Sequence, residues 1–204
     1  KLQKWLDSEI SNTLYPLNKN LDEDMNSEVR AIAFNCLENF GNYPVEKFKN
    51  EIKSINQESK IQLSKLGVRI GAKFLFIPHL LKKKPLELCA VLWKTFYEND
   101  NNNFLPLPLN GRVSFTSEVN MPDHYWQSIG YINIKKFAFR IDMFEKIFFI
   151  ARQKLKKGPF LESSDLMNPI GCNSEQLKDI LTFCGYEYLT IPDGKKLFFL
   201  NNKK

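Results

Sequence analysis

One stretch of the chain, residues 66–93, constrains the fold more than any other because it joins two kinds of local structure in continuous apolar sequence, LGVRIGAKFLFIPHLLKKKPLELCAVLW. Its first half is rich in β-forming residues and ends at Pro78. Three lysines follow, and Pro85 occupies a position that the first turn of a helix tolerates. The next residues, 86–96, are too apolar for a surface helix with one narrow stripe. We therefore expect a strand followed by a central, largely buried helix.

Three helices are predicted before this strand–helix hub. Apolar residues at helical spacing predict a helix over residues 1–15 that packs one face inward. A second helix is expected from a cap at Asn26 or Ser27 to residue 40, and a third over residues 44–66. These helices would form an N-terminal helical layer.

The segment after the hub is predicted to be less regular. Residues 99–103 are polar and mark a candidate boundary, and the spaced prolines of residues 104–115 favour an extended crossing segment. A short helix over residues 123–129 and a strand over residues 131–140 are expected next.

The last part of the chain has the pattern of a winged-helix module. Asp142 opens a helix, and Glu145 lies at the spacing of a capping box. A short helical segment, a tight turn and a helix over residues 174–184 follow, and Asp193 and Gly194 then separate two β-rich runs, which is a strong hairpin signal. Three helices and a hairpin in this order match a winged helix over residues 142–201.

The predicted fold class is α+β and mainly helical, with the helical layer, the central strand–helix unit and a winged-helix-like module in chain order. We expect a helical accessory region over residues 1–98, an extended linker with short strands over 99–141, and the winged-helix-like module over 142–204. The chain has 204 residues, of which 43% are hydrophobic. This is enough to bury a core as one domain or as two small ones.

The net charge and the cysteine content indicate the kind of partner and the cellular compartment to expect. The net charge of +6 favours acidic partners, nucleic acid first, although a solvated basic surface explains the scattered lysines as well. The four cysteines form no CxxC pair, so neither a zinc site nor a disulfide framework is predicted. No apolar run approaches the roughly 18 to 20 residues of a membrane span, and the start lacks a signal peptide. We expect a soluble, cytoplasmic chain in a reducing compartment, with no membrane partner.

Basic side chains are the candidate nucleic-acid contacts. The densest cluster away from the termini, at residues 82–84, fits either a phosphate site or a solvated helix start. The cluster at residues 154–157 also fits cations that complement a helix C-terminus. The candidate binding residues are Lys82, Lys83, Lys84, Arg112, Lys154, Lys156, Lys157, Lys178, Lys195 and Lys196.

The winged-helix pattern allows two interpretations. In the functional one, residues 174–184 form a recognition helix and Lys195 and Lys196 contact phosphates from the hairpin. However, Glu175 and Asp179 make the exposed face of that helix nearly neutral, which favours packing or docking over base reading.

No catalytic centre is predicted. His79 and His124 are isolated, with no nearby cysteine or acidic pattern of metal ligands. No GxSxG, HExxH or glycine-rich phosphate loop is present. We therefore assign no catalytic and no metal-binding residue.

The order of these pieces resembles a known family. The stretch at residues 66–93, followed by LPLPLNGRVSF, HYWQSIGY, FRIDMFEKI and GCNSEQLKDILTFCGY, is similar to the C-terminal region of alphaproteobacterial ATP-dependent helicases related to the mitochondrial degradosome RNA helicase. WLDSEISNTLYPL and EVRAIAFNCLENFG match the helical segment that follows the motor in that family, so the resemblance spans essentially the whole chain.

The resemblance implies a part of a DExH-type helicase of superfamily two, which unwinds RNA or RNA-containing duplexes by ATP hydrolysis. The phosphate loop, acidic box and arginine finger of the motor have no counterpart in this sequence. ATP and Mg²⁺ are therefore expected only for the parent motor, and no cofactor is expected in this chain. The first residue is not Met, which agrees with the C-terminal piece of a longer protein.

The sequence is compatible with two functions. In the first, the chain is a non-motor accessory region that packs on the motor domains of the same polypeptide and guides RNA or DNA. In the second, it is a protein-interaction scaffold that docks a nuclease or another subunit through aromatic surface, without touching nucleic acid. A free-standing hydrolase would need a convergent acid, base or nucleophile cluster, which the sequence does not offer.

Overall fold

The expected α+β, mainly helical fold is confirmed in a computed structural model, which describes residues 1–18, 21, 25–97 and 105–200. The described strands form three small antiparallel sheets, and helices pack against each of them. Within these ranges, no helix combines the length and the apolar character that crossing a membrane requires.

The N-terminal part is helical, as predicted, but its third helix is divided. Its elements are α1 (Leu2–Thr13), a 3₁₀ turn (Tyr15–Asn18), α2 (Ser27–Glu38), β1 (Asn42–Pro44), a 3₁₀ turn (Val45–Phe48), α3 (Lys49–Ser54) and α4 (Gln57–Lys65). The predicted cap of α2 is present, since the Asn26 side chain accepts the Glu28 N–H at 3.0 Å.

The single helix predicted over residues 44–66 is wrong. Ile55 is extended, with φ −64° and ψ 133°, and its side chain is buried in the N-terminal core. The Asn56 side chain then accepts the Ser59 N–H at 2.8 Å and caps α4. An asparagine at a helix N-cap and a buried isoleucine before it stabilise a break that apolar spacing alone does not reveal.

The central stretch has two strands where one was predicted. β2 (Arg69–Ile70) and β3 (Phe74–Phe76) form a tight hairpin, and the sheet order is β1-β3-β2. α5 (Lys83–Tyr97) follows, with Leu86 and Trp93 on its buried face. Phe96 is 80% exposed at its other face, so α5 is one-sided and not largely buried as expected.

The segment after α5 contains its own sheet. Its elements are β4 (Ser114–Thr116), α6 (Asp123–Ser128), β5 (Tyr131–Ile134) and β6 (Phe137–Arg140), in the sheet order β4-β6-β5. The strand expected over residues 131–140 is a hairpin that turns at Lys135 and Lys136, both with positive φ. Such turns are usually marked by Asn-Gly, and a lysine pair gives no such signal. The polar break predicted at residues 99–103 lies outside the described residues.

The C-terminal part has the winged-helix arrangement that the sequence predicted. Its elements are α7 (Ile141–Leu155), β7 (Phe160–Leu161), α8 (Ser164–Met167), α9 (Ser174–Phe183), β8 (Glu187–Thr190) and β9 (Lys196–Phe199). The sheet order is β7-β9-β8, and the hairpin turn lies at the predicted Asp193 and Gly194. The two-residue strand β7, too short to leave a pattern, is an addition to the prediction.

The apolar cores of these parts adjoin one another. Ile132 and Phe139, from the middle sheet, belong to the same buried cluster as Phe144 of α7 and Leu177 of α9. The buried Asn42 amide donates to the Gln127 carbonyl at 3.0 Å, which ties β1 to α6. The segment over residues 105–141 therefore contains the short strands that were expected, and it packs against its neighbours where an extended linker was expected.

Candidate nucleic-acid interface

The lysine cluster at the start of α5 is exposed. Lys82, Lys83 and Lys84 line a cavity of about 450 Å³ together with Glu9 and His79. Within residues 1–18, 21, 25–97 and 105–200, no carboxylate forms an ion pair with any of the three lysines. This lysine shoulder therefore presents three free positive charges on one turn of the chain.

Arg112 is exposed at a different place. It lines a cavity of about 640 Å³ between strand β4 and the turn that precedes α9. Its carbonyl accepts the Tyr131 hydroxyl at 2.5 Å, which fixes the backbone there.

The basic cluster at the end of α7 is divided. Lys154 pairs with Asp165 at 3.0 Å and so fastens α7 to α8. Lys156 and Lys157 lie past the last turn of α7 and are exposed. Lys154 is thus engaged in the fold, whereas Lys156 and Lys157 form no ion pair within the part of the chain that the structure describes.

The lysines of the winged helix are engaged by acidic neighbours. Lys178 pairs with Glu175, and Lys195 pairs with Asp193 at 3.4 Å. Lys196 is only 6% exposed, and its Nζ lies 2.7 Å from a carboxylate oxygen of Glu175. In contrast to the prediction, Lys196 does not present its charge to solvent, because β9 is the central strand and this side chain points towards α9.

Side chains from other elements also contact the exposed face of α9. Asp179 accepts a hydrogen bond from Lys135, on the turn between β5 and β6, at 2.8 Å. The Phe183 ring lies 6.2 Å from the Phe144 ring in an edge-on arrangement. These contacts place α9 against the middle sheet and the first helix of the module, which supports packing over base reading.

The capping box predicted for α7 is wrong, because Asp142 and Glu145 bind other groups. Asp142 binds Arg140, through two hydrogen bonds of 2.6 and 2.9 Å, and accepts the Met143 N–H. Glu145 instead accepts three backbone N–H groups from the turn between β2 and β3: those of Ala72 at 2.6 Å, and of Lys73 and Phe74 at 2.8 Å each. A capping rule based on local spacing cannot foresee this long-range contact.

Glu145 lies in a cavity of about 330 Å³, here termed the hairpin cleft. Two arginines at the cleft, Arg69 and Arg152, are exposed, and the Phe149 side chain is 61% exposed. The residues that line it are Arg69, Ile70, Gly71, Ala72, Phe76, Glu145, Phe149 and Arg152. The cleft thus combines two exposed arginines, of which Arg152 lies over the Phe148 ring at 5.9 Å, with an exposed aromatic ring and backbone donors that Glu145 occupies.

Close packing at the cleft requires glycine at position 71. A Cβ atom there would lie 2.4 Å from Cδ of Glu145 and 2.6 Å from the Phe74 carbonyl oxygen. A glycine between two strand runs is a sequence signal of close backbone approach. The arginines gave no such signal, because they come from different elements and stand alone in the sequence.

Among the described residues, no group of three or more His, Cys, Asp or Glu side chains could hold a metal ion. Burial raises the pKa of the Cys36 and Cys89 thiols to about 12, so neither is an activated nucleophile. The fold is mainly helical α+β, with a winged-helix arrangement in its C-terminal part. Searches for similar proteins give no match to a family model, to a curated protein or to a solved structure.

Proposed function

We propose that this chain is a non-motor accessory region of a cytoplasmic ATP-dependent helicase, which packs on the motor and guides a single strand of RNA or DNA. ATP and Mg²⁺ would be used by the motor, and this chain would supply binding surface. The support comes from the order of sequence pieces, the net positive charge and the distribution of unpaired cations.

The hairpin cleft is the observation that carries this proposal. Single strands bind where cations follow the phosphates and aromatic rings stack on bases. Arg69 and Arg152 offer guanidinium groups for phosphate, and the exposed Phe149 ring offers a stacking surface at the same cavity. The winged helix would hold the cleft in place through α7, which carries both Phe149 and Arg152.

A fluorescence anisotropy titration with single-stranded RNA tests the proposal. We expect saturable binding at low salt and a linear fall of the logarithm of affinity with the logarithm of salt concentration, because phosphate contacts release counterions. Absence of binding at low salt, or binding that salt does not weaken, contradicts the proposal. A matched single-stranded DNA decides which nucleic acid is preferred.

A specific observation also favours the second function, a scaffold that docks another protein. The inward-packed face expected for the helix over residues 1–15 is present only towards its C-terminal end, where Ile10 packs against the N-terminal core and Leu14 is buried in it. Leu2 is 78% exposed, Trp5 61% and Leu6 41%, so this helix presents an apolar face to solvent. Apolar faces that stay exposed mark interaction sites when they form a continuous patch.

A pull-down with nuclease-treated extract separates the two functions. A scaffold recovers a defined protein subunit, and the variant L2S/W5S/L6S fails to recover it while the chain stays folded. Recovery of nucleic acid alone, from an extract without nuclease, contradicts the scaffold and supports the accessory region.

A further inference from the structure

We propose that the backbone donors at residues 72–74 form a phosphate-binding site that Glu145 fills in the free chain and a nucleic-acid phosphate takes over on binding. The nucleic-acid part of this inference rests on the proposed function. The anion site itself does not, and it can be tested with inorganic phosphate.

The geometry is that of an anion site. Three successive N–H groups point at one carboxylate: Oε2 of Glu145 accepts from Ala72, and Oε1 accepts from Lys73 and Phe74. Successive backbone N–H groups in a turn form concavities that bind anions, phosphate among them. A phosphodiester carries the same single negative charge as the carboxylate and presents oxygen acceptors to the same donors.

The surrounding charge is greater than Glu145 alone can balance. Arg69 and Arg152 line the cleft, and Lys73 supplies one of its N–H donors. Among the described residues, none of these three cations forms an ion pair, including with Glu145. The Lys73 ammonium lies over the Phe148 ring, 5.2 Å from its centroid, so the charge at the cleft itself comes from the two arginines. Two arginines against one carboxylate leave the site with an excess of positive charge even when Glu145 fills it, which favours an incoming polyanion.

The carboxylate and a phosphate exclude each other. Gly71 already lies so close to Glu145 that an added Cβ would clash at 2.4 Å. Glu145 is a flexible side chain on α7, whose packing comes from buried neighbours such as Phe144 and Ile147. Its side chain can therefore turn out of the cleft while α7 stays in place, and the turn is then no longer bonded to the winged helix through this carboxylate.

Phosphate binding to the backbone amides tests the inference. Inorganic phosphate is titrated into isotope-labelled wild type, E145A and E145Q, and the amide signals of Ala72, Lys73 and Phe74 are followed by NMR. We expect saturable shifts of these signals in E145A at a phosphate concentration about tenfold lower than in wild type, which corresponds to about 1.4 kcal/mol. E145Q, which keeps one carbonyl acceptor and fills the same space, should lie between the two.

A matched control removes the same charge elsewhere. Glu46 is exposed and pairs with Lys49 on the N-terminal part, so E46A changes the net charge equally without opening the cleft. E46A should behave as wild type. The inference is overturned if the three amides of wild type show no phosphate-dependent shift, a measurement that needs no variant to fold, or if E46A gains as much affinity as E145A.

Single-stranded RNA then identifies the source of the phosphate. We expect E145A to bind RNA more tightly than wild type and RNA to shift the same three amides. If phosphate shifts the amides and RNA binds without doing so, the nucleic-acid assignment is overturned. If phosphate binds and RNA does not bind at all, the proposed function fails while the anion site stands.

Discussion

Two buried cysteine thiols provide a test of the packing at single residues. Cys36 and Cys89 are fully buried, and burial raises the pKa of each thiol to about 12. Because the thiolate is the reactive form, we expect both to resist alkylation in the folded chain and to react rapidly in denaturant. Timed labelling with mass spectrometry measures this. Labelling of either residue in the native chain as fast as in a free peptide would contradict the core packing described.

A second residue with a defined pH response is Glu175. The hydrogen bond from Lys178, and to a smaller extent the one from Lys196, lowers the pKa of its carboxyl from 4.5 to about 2. A carboxylate whose pKa is lowered on folding stabilises the fold at pH values above its pKa in the unfolded chain. That contribution is lost as the pH falls from 4.5 towards 2. E175Q should therefore be less stable than wild type at neutral pH, and the difference should vanish in strong acid.

Urea unfolding at a series of pH values measures this difference between wild type and E175Q. E46A serves as the control, because Glu46 makes an exposed pair with Lys49 and no second lysine contact is seen among the described residues. A stability difference that stays constant from neutral to strongly acidic pH would contradict the pairing of Glu175.

Among the elements, the turn between β2 and β3 requires a glycine at position 71. G71A places a methyl group against Glu145 and the Phe74 carbonyl, and overpacking of this kind costs about 1–3 kcal/mol in the free energy of unfolding. Adding E145A should recover part of that cost, because it removes one of the two clashing groups. Denaturant unfolding of both singles and the double measures the coupling. Strictly additive effects would show that Glu145 does not occupy the turn.

How far the sequence predicts each element depends on whether its signals are local. The winged helix was predictable because three helical segments precede a hairpin that Asp193 and Gly194 mark. The break at Ile55 and the hairpin turn at Lys135 were missed, because buried side chains and long-range pairing stabilise them against weak local preferences. Local patterns thus predict the order of elements better than their ends.

The candidate site was less predictable than the fold. Lysine clusters are visible as runs in the sequence, but which members are free depends on acidic neighbours from other elements, as Lys154 and Lys196 show. The hairpin cleft joins Arg69 of β2 to Phe149 and Arg152 of α7, and no periodicity brings these together. Long-range packing determines which side chains meet at the site, and local patterns in a single sequence do not predict that packing.

At the scale of the whole molecule, the lysine shoulder offers a test of the electrostatic part of the proposal. The variant K82A/K83A/K84A should fold and should weaken binding of single-stranded RNA. The salt slope should fall by about 0.7 for each phosphate that the variant no longer neutralises. The control K47A/K53A/K60A removes three other exposed lysines and the same charge. If the two triples have the same affinity and slope, the shoulder is a solvated helix start.

Binding of a nucleic-acid strand at the hairpin cleft, as proposed, is tested most directly by a comparison of two variants. The variant R69A/F149A/R152A removes the two guanidinium groups and the exposed ring from the cleft. The control F34A/K53A/K60A removes a phenylalanine of similar exposure, 54% against 61%, and the same charge from the N-terminal helices. In anisotropy titrations with single-stranded RNA, we expect the affinity of the cleft variant to fall at least about tenfold, since stacking alone contributes about 1–3 kcal/mol per base. The control should stay within a small factor of wild type, and equal affinities of the two variants would contradict the proposal.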